Sequence, residues 1–136
     1  MTEKIYINIW DDYHEDGYVP EGEKQETYAY VECDITEEDA KNVLAQFQQE
    51  LISLVKPEWD INLSLDFYDS AKEYQNLVGT EYEKMLFRRW QLSIKNLTHQ
   101  AREYLIKQLQ NKELNYRNIP IVVYKKKKKT SPNLGL

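Results

Sequence analysis

The stretch EYEKMLFRRWQLSIKNLTHQAREYLIKQLQNK, Glu81 to Lys112, governs how the rest of the chain is read. Its apolar residues Tyr82, Leu86, Phe87, Trp90, Ile94, Leu97, Ala101, Tyr104, Leu105 and Leu109 recur at about 100° per residue, the stripe of an amphipathic helix. Between Leu86 and Gln108 the repeat is about 3.7 residues, nearer a straight helix on a body than the 3.5 of a left-handed coiled coil. Thr80 followed by Glu83 resembles a capping box that would open it. A helix over the whole stretch measures roughly 48 Å at about 1.5 Å per residue. A compact body of this chain length is only about 37 Å across. Such a helix either spans the fold or projects beyond it. Met85, Leu92 and Ile106 fall off the stripe as a thin second apolar line, and Arg88, Arg89, Lys95, Arg102 and Lys107 lend the outer surface a basic cast. The plain reading of that surface is a solvated face.

Outward from the stretch, period-two alternation marks strands. Lys4 to Trp10 sets Ile5, Ile7 and Ile9 against Tyr6, Asn8 and Trp10. Thr27 to Ile35 sets Ala29, Val31, Cys33 and Ile35 against Tyr28, Tyr30 and Glu32. Trp59 to Tyr68 sets Ile61, Leu63, Leu65 and Phe67 against Asn62, Ser64, Asp66 and Tyr68. Ile119 to Tyr124 is a last strand, with Pro120 at its opening. Between the second and third strands, Thr36 and Asp39 resemble a capping box ahead of the helical stripe Ala40, Val43, Leu44, Phe47, Leu51, Leu54 and Val55, and Pro57 stops it. Ser70 with Glu73 caps a short helix that Gly79 interrupts. The expected order is β-β-α-β-α-β. It folds as an α+β two-layer sandwich: a mixed four-stranded sheet with two main helices, one of them long, on one face. Residues 1–124 form one domain, and 125–136 form a basic tail. No internal repeat stands out.

Composition bounds the function without naming it. The 136 residues are 41% apolar and 30% charged, with a formal net charge of −5, as in a soluble globular domain. Cys33 is the single cysteine, so no intrachain disulfide forms. With no apolar leader or long apolar run in view, a cytoplasmic protein without a membrane role is expected. Eleven tyrosines against three phenylalanines are the unusual feature.

Those tyrosines gather on the sheet face turned away from the helices, with Tyr6, Asn8, Trp10, Tyr28, Tyr30, Glu32, Asn62, Ser64, Asp66, Tyr68 and Tyr124. Tyrosine and tryptophan suit interface cores because they bury much area and keep a polar handle. Tyr6, Trp10, Tyr28, Tyr30, Asp66, Tyr68 and Tyr124 are the candidate contact residues for a protein partner or a second copy of the chain. The plain reading is a solvated face whose tyrosines satisfy strand propensity. A stacking platform for bases is disfavoured by Glu32 and Asp66, with no lysine or arginine expected there. An inhibitor-like or immunity-like protein that blocks a basic partner is compatible with the acidity.

Other features carry less. Asp12, His14, Asp16, Gly17 and Glu23 match calcium-loop spacing, but His14 and Pro20 stand at awkward positions and a strand precedes the loop. The plain reading is an acidic hairpin loop, so no metal and no cofactor is expected. The Lys125 to Lys129 run, together with the basic helix surface, makes nucleic acid the alternative partner. No phosphate loop, nucleophile–histidine motif or metal-spaced cysteine and histidine set is present, which leaves an enzyme of unknown class as the weakest reading.

Overall fold

The computed structural model describes residues 3–11 and 24–125. The strands are β1 (Ile5–Asp11), β2 (Lys24–Val31), β3 (Asn62–Asp69), β4 (Arg88–Thr98), β5 (Leu114–Tyr116) and β6 (Ile119–Lys125). The helices are α1 (Glu37–Leu54), the single turn α2 (Ser70–Glu73) and α3 (His99–Gln110). The six strands form one mixed sheet in the order β3-β4-β2-β1-β6-β5. Only β1 and β6 pair in parallel. The α+β class expected from periodicity holds; the four-stranded sheet and the long helix do not.

Of the stretch 81–112, only His99–Gln110 is α-helical. Residues 81–87 are turn, and the middle of the stretch is β4, the strand that joins both hairpins. The reason is visible in the residues. Trp90, Leu92 and Ile94 alternate with Arg89, Gln91 and Ser93, which is strand periodicity. The register then slips: Thr27 faces Ile94 and Gln25 faces Leu97, so two steps along β2 match three along β4. Asn96, at φ +67°, lies in this bulge and lets Leu97 return to the core. A three-residue apolar step made by a bulged strand imitates the i,i+3 step of a helix. Thr98 then caps α3 at once, its Oγ1 accepting from the Ala101 N–H at 3.2 Å, and Ala101, Leu105 and Leu109 recur every four residues. Strand and helix therefore write one nearly continuous stripe.

The remaining caps divide similarly. Thr36 Oγ1 accepts from the Asp39 N–H at 3.0 Å and starts α1, and Pro57 keeps Lys56 extended so that α1 ends at Leu54. The Asp39 carboxylate does not close a box. It accepts from the Tyr116 hydroxyl at 2.9 Å and pairs with Arg117 at 3.3 Å, which ties the β5–β6 hairpin to the first turn of α1. The Tyr116 hydrogen bond is the main reason the Asp39 carboxyl sits below its ordinary range. Thr80 and Glu83 close only a turn: Glu83 accepts from the Gly79 N–H at 3.1 Å, with Gly79 at φ +82°. Asp69, not Ser70, caps α2.

α1 and α3 lie on the aliphatic side of the sheet. Val43, Phe47 and Leu51 of α1 and Ala101, Leu105 and Leu109 of α3 close over Ile5, Ile7, Ile9, Ala29, Leu92, Ile94, Leu97, Ile121 and Val123. The connections β2-α1-β3 and β4-α3-β6 run in opposite directions across the sheet and start from antiparallel strands. Two crossovers of the usual right hand then fall on the same face. Each half is also a hairpin followed by a helix, a repeat of topology that no sequence repeat announces. β5 went unread because its two-residue turn is Arg117-Asn118, both at positive φ, in place of an Asn-Gly signal.

Candidate protein-interaction surface

Strand register decides which side chains share the face opposite α1 and α3. Tyr6 stands beside Val122, Asn8 between Tyr30 and Tyr124, and Trp10 beside Tyr28. Tyr28 stands beside Ser93 and Ser93 beside Ser64, while Asp66 pairs with Gln91, Tyr68 with Arg89 and Asn62 with Lys95. Six of the seven candidate contact residues, Tyr6, Tyr28, Tyr30, Asp66, Tyr68 and Tyr124, therefore occupy this one face, and Trp10 stands in register beside Tyr28. The Trp10 side chain lies outside the described part. The face is not free of cations as expected: β4 brings Arg89 and Lys95 to it, and both were assigned to a helix surface that does not exist.

The centre of the face is a buried polar cluster. Asn8 is completely buried, and its Nδ2 donates to the Tyr30 hydroxyl at 2.7 Å and to Glu32 Oε2 at 2.9 Å. The Tyr124 hydroxyl donates to the same Glu32 oxygen. Asn8 Oδ1 meets no hydrogen-bond partner among the described residues. Tyr30 is 7% exposed, and the Arg89 guanidinium lies 3.5 Å from the centre of its ring and 4.5 Å from that of Phe87. Arg89 Nε also donates to Gln91 at 3.3 Å. Burial lowers the Arg89 pKa from its usual value, against the pull of Tyr30 and Glu32. Burial, followed by the Glu32 carboxylate, raises the Tyr124 hydroxyl above the ordinary tyrosine range.

Toward one end the face opens. Tyr6 and Tyr124 meet edge to face, with ring centres 6.0 Å apart and planes at 80°. With Glu32 and Val122 they line a shallow hollow of about 430 Å³. On the far side, Tyr68 leans on Phe87 at 5.4 Å and donates to Glu73 at 2.6 Å. That bond to a carboxylate pushes the Tyr68 hydroxyl up to about 12. Asp66 is exposed and accepts from the Ser64 hydroxyl; Tyr28 is half-buried.

The part that periodicity concealed is the connection from β3 to β4. Ser70 closes its base: the Ser70 N–H donates to the Phe87 carbonyl at 3.0 Å, and Ser70 Oγ accepts from the Phe87 N–H at 2.8 Å. Between them, tight turns at Gln75–Leu77 and Glu83–Met85 hold Tyr74, Val78, Tyr82, Met85 and Phe87 outward, with Met85 66% exposed. Of the eight exposed large apolar side chains among the described residues, these are five. All five fell within helices of the sequence reading, Tyr82, Met85 and Phe87 in the long one and Tyr74 and Val78 in the short one before Gly79.

Other expectations resolve as follows. Leu92 and Ile106 belong to the core, and Arg102, expected on a basic surface, is 3% exposed and bonds Glu103 at 2.6 Å. Arg88, Arg89 and Lys95 lie on β4, so α3 does not assemble the basic helix surface that the nucleic-acid reading used. Lys125 is the last residue of β6 and pairs with Glu103 at 2.9 Å; residues 126–136 of the tail lie outside the described residues. So do Asp12, His14, Asp16, Gly17, Pro20 and Glu23. Among the described residues, no three His, Cys, Asp or Glu side chains are grouped to hold a metal ion, and no helix is long and apolar enough to cross a membrane. Comparison with protein-family models, with curated proteins and with solved structures gives no match.

Proposed function

We propose that this protein is a non-catalytic interaction module of the cytoplasm. It binds a protein partner, or a second copy of itself, through the aromatic sheet face and the β3–β4 connection that continues it. The observation that supports this most is the set of outward side chains on one connection, Tyr74, Val78, Tyr82, Met85 and Phe87, of which Phe87 meets Tyr68 and Arg89 on the face. Exposed aromatic and methionine side chains suit an interface core, where the rings bury large area at little rotamer cost and methionine adapts to the partner's shape.

The test uses a triple variant, Val78→Ser, Tyr82→Ser and Met85→Ser. All three positions are exposed, so thermal unfolding should move little, within about 0.5 kcal/mol per site. Solution mass by light scattering and affinity capture from a lysate are then compared with wild type. The reading expects either a dimer that becomes monomeric or captured proteins that are lost. Identical masses and identical captured proteins would overturn it.

A further inference from the structure

The hollow at the end of the sheet face points to a particular occupant, and this inference rests on the interaction reading above. We infer that the corner formed by Tyr6, Tyr124 and Glu32 receives a lysine side chain from the partner. Two aromatic rings at 80° provide a concave corner in which a compact ammonium contacts both π systems, whereas a planar guanidinium stacks well on only one. Val122 gives the floor an apolar patch for the lysine stem. Glu32, exposed and the only charged residue among the described ones that line the hollow, supplies the opposite charge beside the rings. The carboxylate is fixed in place before any ligand arrives, because Asn8, fully buried, and Tyr124 both donate to its Oε2. Arg89 shares the field of Glu32, but its guanidinium is held over the faces of Tyr30 and Phe87 and it does not line the hollow.

The probe is pentalysine, with pentaarginine and penta-acetyl-lysine as comparisons, titrated into the full chain at low salt and followed by NMR shifts of the tyrosine rings. Pentalysine should shift Tyr6 and Tyr124 first, and penta-acetyl-lysine, which lacks the charge, should not. Tyr6→Leu removes a ring and no charge; it should weaken pentalysine binding about threefold. Glu32→Gln should weaken it about fivefold or more. A thermal scan checks the fold of both variants. Attraction to acidic surface elsewhere would survive Tyr6→Leu unchanged, and that result overturns the proposal. Pentaarginine binding tighter than pentalysine at the same rings would overturn the choice of lysine. The Val78, Tyr82 and Met85 triple variant should bind pentalysine as wild type does. If pentalysine fails while partner capture still depends on those three residues, the lysine site falls and the interaction reading stands.

Discussion

The two faces of one sheet solve the same burial problem by different means. On the side of α1 and α3, Ile5, Ile7, Ile9 and Ala29 are each 3% exposed or less, and what covers them is aliphatic and aromatic carbon from the helices. One residue along each strand, Asn8 and Tyr30 are nearly as buried with neither helix above them. There, hydrogen bonds to Glu32 and the stacking of Arg89 on Tyr30 take the place of a packed helix. Carbon packing is non-directional and tolerant of neighbours. The polar cluster is directional, and its edge leaves rings and a carboxylate at the surface. The second face is thus both a structural layer and the candidate contact surface, and variants there must be chosen with that in mind. Tyr30→Ser would remove a buried ring, so it cannot serve as a silent test of binding; Tyr6, Tyr82 and Met85 can.

Three measurements break or sharpen this comparison. The largest effect belongs to the aliphatic side: Phe47→Ala, at a position 1% exposed, should cost about 3–5 kcal/mol in urea unfolding. That is a large share of the roughly 5–15 kcal/mol of a typical domain. Asn8→Ala should cost less, about 1–3 kcal/mol, since it removes two hydrogen bonds but also a buried oxygen without a partner. A loss equal to that of Phe47→Ala would mean that the polar layer holds the sheet as strongly as the helices do.

The smallest effect is one of pH. Tyr68 is raised to about 12 by its bond to Glu73, and Tyr124 is raised further by burial and Glu32. A tyrosine raised on folding favours the native state while neutral. The contribution is therefore complete below about pH 10, the unfolded value, and declines as pH rises through the folded one. Stability measured from pH 9 to 12 should fall, and the fall should be shallower in Tyr68→Phe. Alkaline absorbance titration should show these two hydroxyls ionising late; if all tyrosines titrate together near pH 10, the carboxylate contacts do not exist in solution.

Short-range pattern was sufficient for much of this molecule. Alternation along residues 4–10, 27–35, 59–68 and 119–124 sorted the side chains onto the two faces, because successive strand residues point opposite ways whatever the strand pairs with. Thr36 and Pro57 bounded α1 for equally local reasons, a hydroxyl that meets a backbone N–H and a ring that bars the helical region. Pairing partners decided what those patterns left open. The bulge at Asn96 exists because β4 must match β2, and it turned strand spacing into apparent helix spacing. Arg89 and Lys95 reached the aromatic face only once that strand was in register. The corner of Tyr6, Glu32 and Tyr124 joins residues more than ninety positions apart in the chain, and only long-range strand pairing brings such side chains together.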